Sequence, residues 1–85
     1  MKRLRDLRNI GATIEKRLNE IGIRTPEQLA DVGAVEAWRR IRAKNPNVTV
    51  PVCYYLYSIE GALRDVHWDD LPTEVKKRLV KEAKG

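Results

Sequence analysis

The chain has 85 residues and is poor in the residue types that carry chemistry: one cysteine, one histidine and no phenylalanine. Each shortage excludes something. The single thiol, Cys53, cannot close an internal disulfide and fits a reducing cytosol. Cys53 and His67 together fall short of the three or four soft ligands of a zinc site, so no metal is expected. No glycine-rich phosphate loop is present, and nothing in the sequence orients a Cys-His nucleophilic pair. No catalytic residue, cofactor or small-molecule substrate is therefore assigned. The longest apolar stretch, Val48 to Ile59, is broken by Thr49, Pro51 and Ser58, whereas a membrane span needs about 18 residues without such breaks. The Met-Lys-Arg opening lacks the apolar segment of a signal peptide. These exclusions leave a non-enzymatic, cytoplasmic protein with no membrane association.

What is present is a small globular domain. With 34% charged and 42% hydrophobic residues, the chain can bury a core, and residues 1–85 read as a single domain. The net charge of +5 is unevenly spread: residues 1–44 hold eleven Lys/Arg against six Asp/Glu, and residues 45–85 hold six of each. All the excess positive charge lies in the first half. It would speed encounter with a polyanion or an acidic protein, and it would equally serve as a solvated, solubilising face.

Apolar spacing of three and four residues recurs throughout, and strand-like alternation of useful length does not. The expected fold is all-α, a compact bundle of about five helices after a short first turn over Lys2 to Leu7. Ile10, Ile14, Leu18 and Ile21 make one stripe on a helix over Ala12 to Ile21, which Gly22 ends in a left-handed conformation. Thr25-Pro26-Glu27-Gln28 opens the next helix with a cap, a proline at the first position and a capping-box glutamine. Gly33 stops that helix or caps the one over Ala34 to Lys44, whose stripe is Val35, Trp38 and Ile41. Thr49 and Pro51 start a helix over Val52 to Arg64, in which Gly61-Ala62 is a small flank for close approach of another helix. The last helix begins near Leu71-Pro72, with Asp69 and Asp70 at its positive end.

Residues 4–29, LRDLRNIGATIEKRLNEIGIRTPEQL, carry the most information: a tight turn at Asn9-Ile10-Gly11, a helix, a glycine stop and a Thr-Pro helix start. That order reads as a helix-hairpin-helix element, whose exposed helix N-terminus welcomes an anion. The family pattern at the turn is Gly-hydrophobic-Gly, matched here by Ile10 and Gly11, with Asn9 in place of the first glycine. The candidate nucleic-acid contacts are Arg8, Asn9, Gly11, Lys16 and Arg17 around this turn, with Arg39 and Arg40 as a second basic set. Such contacts would hold phosphate without reading bases. Alternatively the hairpin is only a packing module. Tyr54, Tyr55 and Tyr57 cannot all face inward on one helix, so at least one should be exposed as a partner surface. Trp38 and Trp68 read as core and domain-edge residues.

Taken whole, the chain resembles the C-terminal domain of the TfoX (Sxy) family of bacterial competence regulators. The resemblance rests on Leu7-Arg8-Asn9-Ile10-Gly11, on Leu18 and Ile21-Gly22-Ile23, and on Gly33-Ala34-Val35-Glu36-Ala37-Trp38. Leu56, Glu60-Gly61-Ala62-Leu63 and His67-Trp68 followed by Leu71-Pro72 complete it. It implies a small helical domain with a helix-hairpin-helix-like portion. In longer members this domain follows an N-terminal α/β domain for which 85 residues leave no room, and the family promotes expression of DNA-uptake genes, in some bacteria with a cyclic-AMP-dependent activator. The family supplies no catalytic residues. Two functions remain open: weak, sequence-independent binding of the DNA backbone linked to transcription regulation, or a module for interaction with a protein partner or a second copy.

Overall fold

The computed structural model describes residues 3–84, the side chains of residues 52 and 53 excepted. A 3-10 turn at Leu4–Asp6 precedes α1 (Ala12–Glu20), α2 (Pro26–Val32), α3 (Ala34–Lys44), a π-helical turn at Val52–Leu56 running directly into α4 (Tyr57–Arg64), a second 3-10 turn at Trp68–Asp70, and α5 (Thr73–Lys84). No strand occurs among the described residues. The all-α fold is as the apolar spacing predicted.

The helix ends follow from their local sequences. Gly22 has φ 86°, and the Ile23 N–H donates to the Leu18 carbonyl at 3.0 Å, so the chain leaves α1 through a left-handed glycine as expected. The Thr25 hydroxyl accepts from the Gln28 N–H at 3.1 Å. The Gln28 side chain reaches back one residue further than a standard capping box, taking the Arg24 N–H at 2.7 Å. Gly33, at φ 84°, both ends α2 and caps α3. Its left-handed angle lets two helices follow each other with a single residue between them.

α3 is the central helix and packs against α1, α2, α4 and α5. Its buried face is Ala34, Ala37, Trp38 and Ile41, with Val35 only partly covered. Around it, Leu4, Ile14, Leu18, Leu29, Ile41, Leu56 and Ile59 are the large side chains fully removed from water, each stabilising the fold by about 1.5–3 kcal/mol relative to exposure. α5 closes the bundle with Leu79 and Ala83 buried and Val75 partly so, and Leu71 just before it is buried as well.

One element start and one packing contact differ from the sequence reading. The helix expected over Val52 to Arg64 begins with five π-helical residues. The wider turn shifts the angular phase of the tyrosines away from a 3.6-residue wheel. Gly61, read as a flank for another helix, instead admits a loop: a Cβ there would lie 2.6 Å from Asn9 Nδ2 and 2.7 Å from the Val66 carbonyl.

Candidate functional site

Asn9 is central to the region, and its role is internal. It takes φ 72°, a left-handed value that asparagine tolerates better than most residues. Its Nδ2 donates to the Val66 carbonyl at 2.9 Å and to the Ser58 carbonyl at 3.4 Å, while its Oδ1 accepts from the Trp68 N–H at 3.3 Å. Asp65, at φ 58°, is the left-handed residue ending α4, and the Val66 N–H returns to the Gly61 carbonyl at 2.8 Å. One side chain therefore clasps the N-terminal turn to the end of α4 and to the turn carrying Trp68. Its polar atoms are spent on the backbone rather than offered to a phosphate.

Beside this clasp lies a surface groove of about 630 Å³, lined by Arg8, Asn9, Tyr54, Ser58, His67 and Trp68. Tyr54 is 49% and Trp68 37% exposed, and with Val48 they are the exposed large hydrophobic residues of the described chain. The Tyr54 ring meets Tyr55 edge-on at 5.1 Å, and the His67 ring lies 5.6 Å from Trp68 at a tilt of 32°. His67 Nδ1 accepts the Asp69 N–H at 3.1 Å, so a neutral ring carries its proton on Nε2, free to donate. Lys76 Nζ stands 5.8 Å from the Tyr57 ring and 5.9 Å from that of Trp68, and donates to the Asp69 carbonyl at 3.3 Å. Arg8 has only a long contact, 3.6 Å, to the highly exposed Asp65, a pair of little energetic weight.

The three candidate tyrosines separate. Tyr54 faces the groove, Tyr57 is half-buried, and Tyr55 is buried at 4% exposure, which removes it from any partner surface. Trp68, read as a domain edge, contributes a face to the groove, a role that its spacing did not reveal. Cys53 lies outside the residues whose side chains are described.

The model of the TfoX C-terminal domain matches residues 1–83. The chain belongs to that family. It is 34% identical over 82 residues to Protein Sxy of Escherichia coli (strain K12) and 28% identical over 83 residues to DNA transformation protein TfoX1 of Aliivibrio fischeri. Each alignment covers 96% of this chain and 38% of the relative, so the chain spans well under half the length of these curated relatives. Among solved structures, a Listeria monocytogenes protein described as uncharacterized superposes with a TM-score of 0.86 at 36% identity, covering 98% of this chain and 91% of that one. A tetragonal crystal form of a Listeria monocytogenes protein of unknown function gives 0.84 at 37% identity, covering 95% and 96%.

Within this TfoX C-terminal domain, the cations proposed for phosphate contact are mostly engaged. Arg17 Nη1 donates to Asn45 Oδ1 at 3.0 Å and to Glu20 at 3.3 Å. The Tyr55 hydroxyl and then Glu20 raise its pKa above the usual arginine value, outweighing partial desolvation. Arg40 pairs with Glu36 at 2.9 Å, one turn away. Arg39 donates from Nε to the Ala83 carbonyl at 3.4 Å and from Nη2 to the Glu82 carbonyl, covering the end of α5. Arg5, although absent from the candidate set, makes the tightest link near the turn, from Nη2 to Glu15 Oε1 at 2.7 Å. That hydrogen bond, outweighing Glu15's desolvation, holds the carboxyl below its usual pKa and leaves a negative charge close to the N-terminus of α1. Gly11 is extended, at φ −100°, and caps α1. Gly11, Ala12, Thr13 and Lys16 are exposed. Of the predicted clamp, Gly11 and Lys16 remain open to solvent without competing partners, and Arg8 nearly so.

Among the described residues no His/Cys/Asp/Glu cluster could hold a metal, and no helix is long and apolar enough to cross a membrane.

Proposed function

We propose that this TfoX C-terminal domain is a non-enzymatic docking module, linked to transcription regulation, that holds a protein partner in the groove between Tyr54 and Trp68. The observation that carries this reading is that two exposed aromatic rings face one concave surface beside an arginine. Tyr, Trp and Arg dominate the energetics of protein interfaces. The charges around the groove support a protein over a polyanion. Arg8 and Lys76 stand near Asp65 and Asp69, whose side chains are 86% and 68% exposed, and Asp70 is exposed beside them. A phosphate backbone entering here would meet these three carboxylates against two cations. The name of the Aliivibrio fischeri relative, a DNA transformation protein, suggests a regulator of DNA uptake as the setting.

A second reading keeps weak, sequence-independent DNA binding, favoured by the exposed start of α1 at Gly11 and by Lys16. The two readings use different residues and separate cleanly. Peptides selected from a random displayed library on the wild-type domain should bind Tyr54→Ala and Trp68→Ala at least ten-fold more weakly, and Lys16→Ala unchanged. Labelled duplex DNA titrated at about 50 and about 200 mM salt should lose ten-fold or more in affinity if several phosphates are contacted, with a log-log slope of roughly −0.9 per contact. Peptides that ignore the tyrosine and tryptophan substitutions, together with saturable, salt-steep DNA binding lost in Lys16→Ala, would replace the first reading by the second.

A further inference from the structure

A second groove, of about 790 Å³, lies on the opposite use of the sequence's charge, where the end of α3 and the 45–50 loop meet the last turn of α5. Its cations are Arg39, Arg42 and Lys84, and among the described residues no Asp or Glu lines it. Its apolar part is the Trp38 ring, Pro46, Val48 and Val50. Val48 is 44% exposed, although it is a large aliphatic residue in a short loop that could equally carry a polar one.

Several arginines elsewhere are paired within the chain. Arg5, Arg17, Arg40 and Arg64 each meet a carboxylate of the same chain. Arg42 instead lies over the Trp38 ring, 5.4 Å from its centroid, and no carboxylate meets Arg42 or Lys84 among the described residues. Stacking on an aromatic face fixes a guanidinium while leaving its in-plane N–H donors unspent. Arg39 is held in place by the carbonyls of Glu82 and Ala83. The groove thus presents positioned positive charge around an apolar floor.

We infer that this groove binds an acidic segment of a partner protein that carries apolar anchor side chains between its carboxylates. Carboxylates would pair with Arg42 and Lys84, and an apolar side chain would cover the exposed Val48 and Pro46. A nucleic-acid backbone fits less well. It gains nothing from the exposed Val48 and Pro46. The inference is independent of the Tyr54–Trp68 groove and shares no residue with it.

The test uses the full 85-residue chain and a fluorescein-labelled synthetic dodecapeptide alternating Asp/Glu with Leu/Phe. Three controls accompany it: the same peptide with Lys replacing the acids, an oligoglutamate of equal charge, and a 12-base-pair duplex. Anisotropy should show saturable binding of the acidic–apolar peptide alone, and amide and indole shifts should centre on Trp38, Val48 and Val50. Arg42→Glu and Lys84→Glu, both at exposed positions, should each weaken it at least ten-fold, Val48→Asp should do the same, and Tyr54→Ala should leave it unchanged. Circular dichroism of each variant separates loss of binding from loss of fold. Absence of saturation at millimolar peptide overturns the proposal. Equal binding of the lysine peptide reduces the groove to an apolar patch, and equal binding of oligoglutamate or duplex makes it a general polyanion site; either result also overturns it.

Discussion

Asn9→Ala should cost this domain far more than a half-buried turn residue ordinarily does. The substitution removes one well-formed hydrogen bond, to the Val66 carbonyl at 2.9 Å, and two longer ones, with Ser58 at 3.4 Å and Trp68 at 3.3 Å. Counting about 1 kcal/mol for the first and about 1 kcal/mol for the other two together gives about 2 kcal/mol. Alanine must also hold φ 72°, which adds about 1–2 kcal/mol for an L-residue without a polar side chain. The expected loss is therefore about 3–4 kcal/mol, a large share of the roughly 4–13 kcal/mol that 0.05–0.15 kcal/mol per residue allows a chain of this length. Asn9→Gly removes the same bonds and relieves the backbone, so it should lie about 1 kcal/mol closer to wild type. Urea unfolding followed by far-UV circular dichroism measures both. The melting temperature should fall roughly 15–25 °C for the alanine variant, at about 4–8 °C per kcal/mol for a domain of this size. An alanine variant within about 0.5 kcal/mol of wild type, or a glycine variant as stable as wild type, would refute the clasp.

Gly61→Ala should destabilise by about 1–3 kcal/mol, because its Cβ would collide with Asn9 Nδ2 and with a backbone carbonyl that cannot swing aside. In the Asn9→Gly background the same change should cost less, by about 0.5 kcal/mol or more, and strict additivity would show that the two residues do not share a contact. Gly11→Ala should leave stability within about 0.5 kcal/mol or raise it slightly, since the position is extended and a Cβ meets nothing within 4 Å; Gly22→Ala, at φ 86°, should lose about 1 kcal/mol in the same urea assay. Arg5 holds the Glu15 pKa down in the folded state, so the stability this link contributes is complete above the usual glutamate value of about 4.3 and is lost as pH falls through the lower folded-state value. The urea midpoint of the wild type should drop across that acid window more steeply than that of Glu15→Gln, and parallel curves would contradict the assignment.

Much of the bundle was legible in the sequence because its signals are local. Gly22 and Thr25-Pro26 end and start helices through bonds spanning five residues or fewer, and the Ile14–Leu18 stripe needs only the 3.6-residue period to face the core. The site was less legible for two physical reasons. The π-turn at Val52–Leu56 breaks that period, so a uniform helical wheel could not tell exposed Tyr54 from buried Tyr55. The Asn9 bonds bridge 49 to 59 residues, and nothing in the local pattern announces them. Gly61 did signal that something approaches closely, but not that it would be the Asn9 side chain and the loop behind it. Likewise, formal charge placed the positive excess in the first half, and the i,i+3 and i,i+4 pairs of Arg17 with Glu20 and Arg40 with Glu36 were legible from spacing, whereas the pairing of Arg5 with Glu15 became visible only in three dimensions.

Asn9 decides how the rest of the molecule should be probed. Its side chain joins the turn to the end of α4 and to Trp68, and so shapes one wall of the groove that includes Arg8 and Tyr54. An Asn9 substitution would disturb the exposed start of α1 and the aromatic groove together, and loss of binding in such a variant would favour neither DNA nor a protein. The discriminating residues are those that touch only one surface and whose side chains bear no hydrogen bond: Lys16 in the first turns of α1, and the exposed ring of Tyr54 in the groove. Binding that follows Lys16 and salt belongs to a phosphate backbone, and binding that follows Tyr54 and is indifferent to salt belongs to a protein partner.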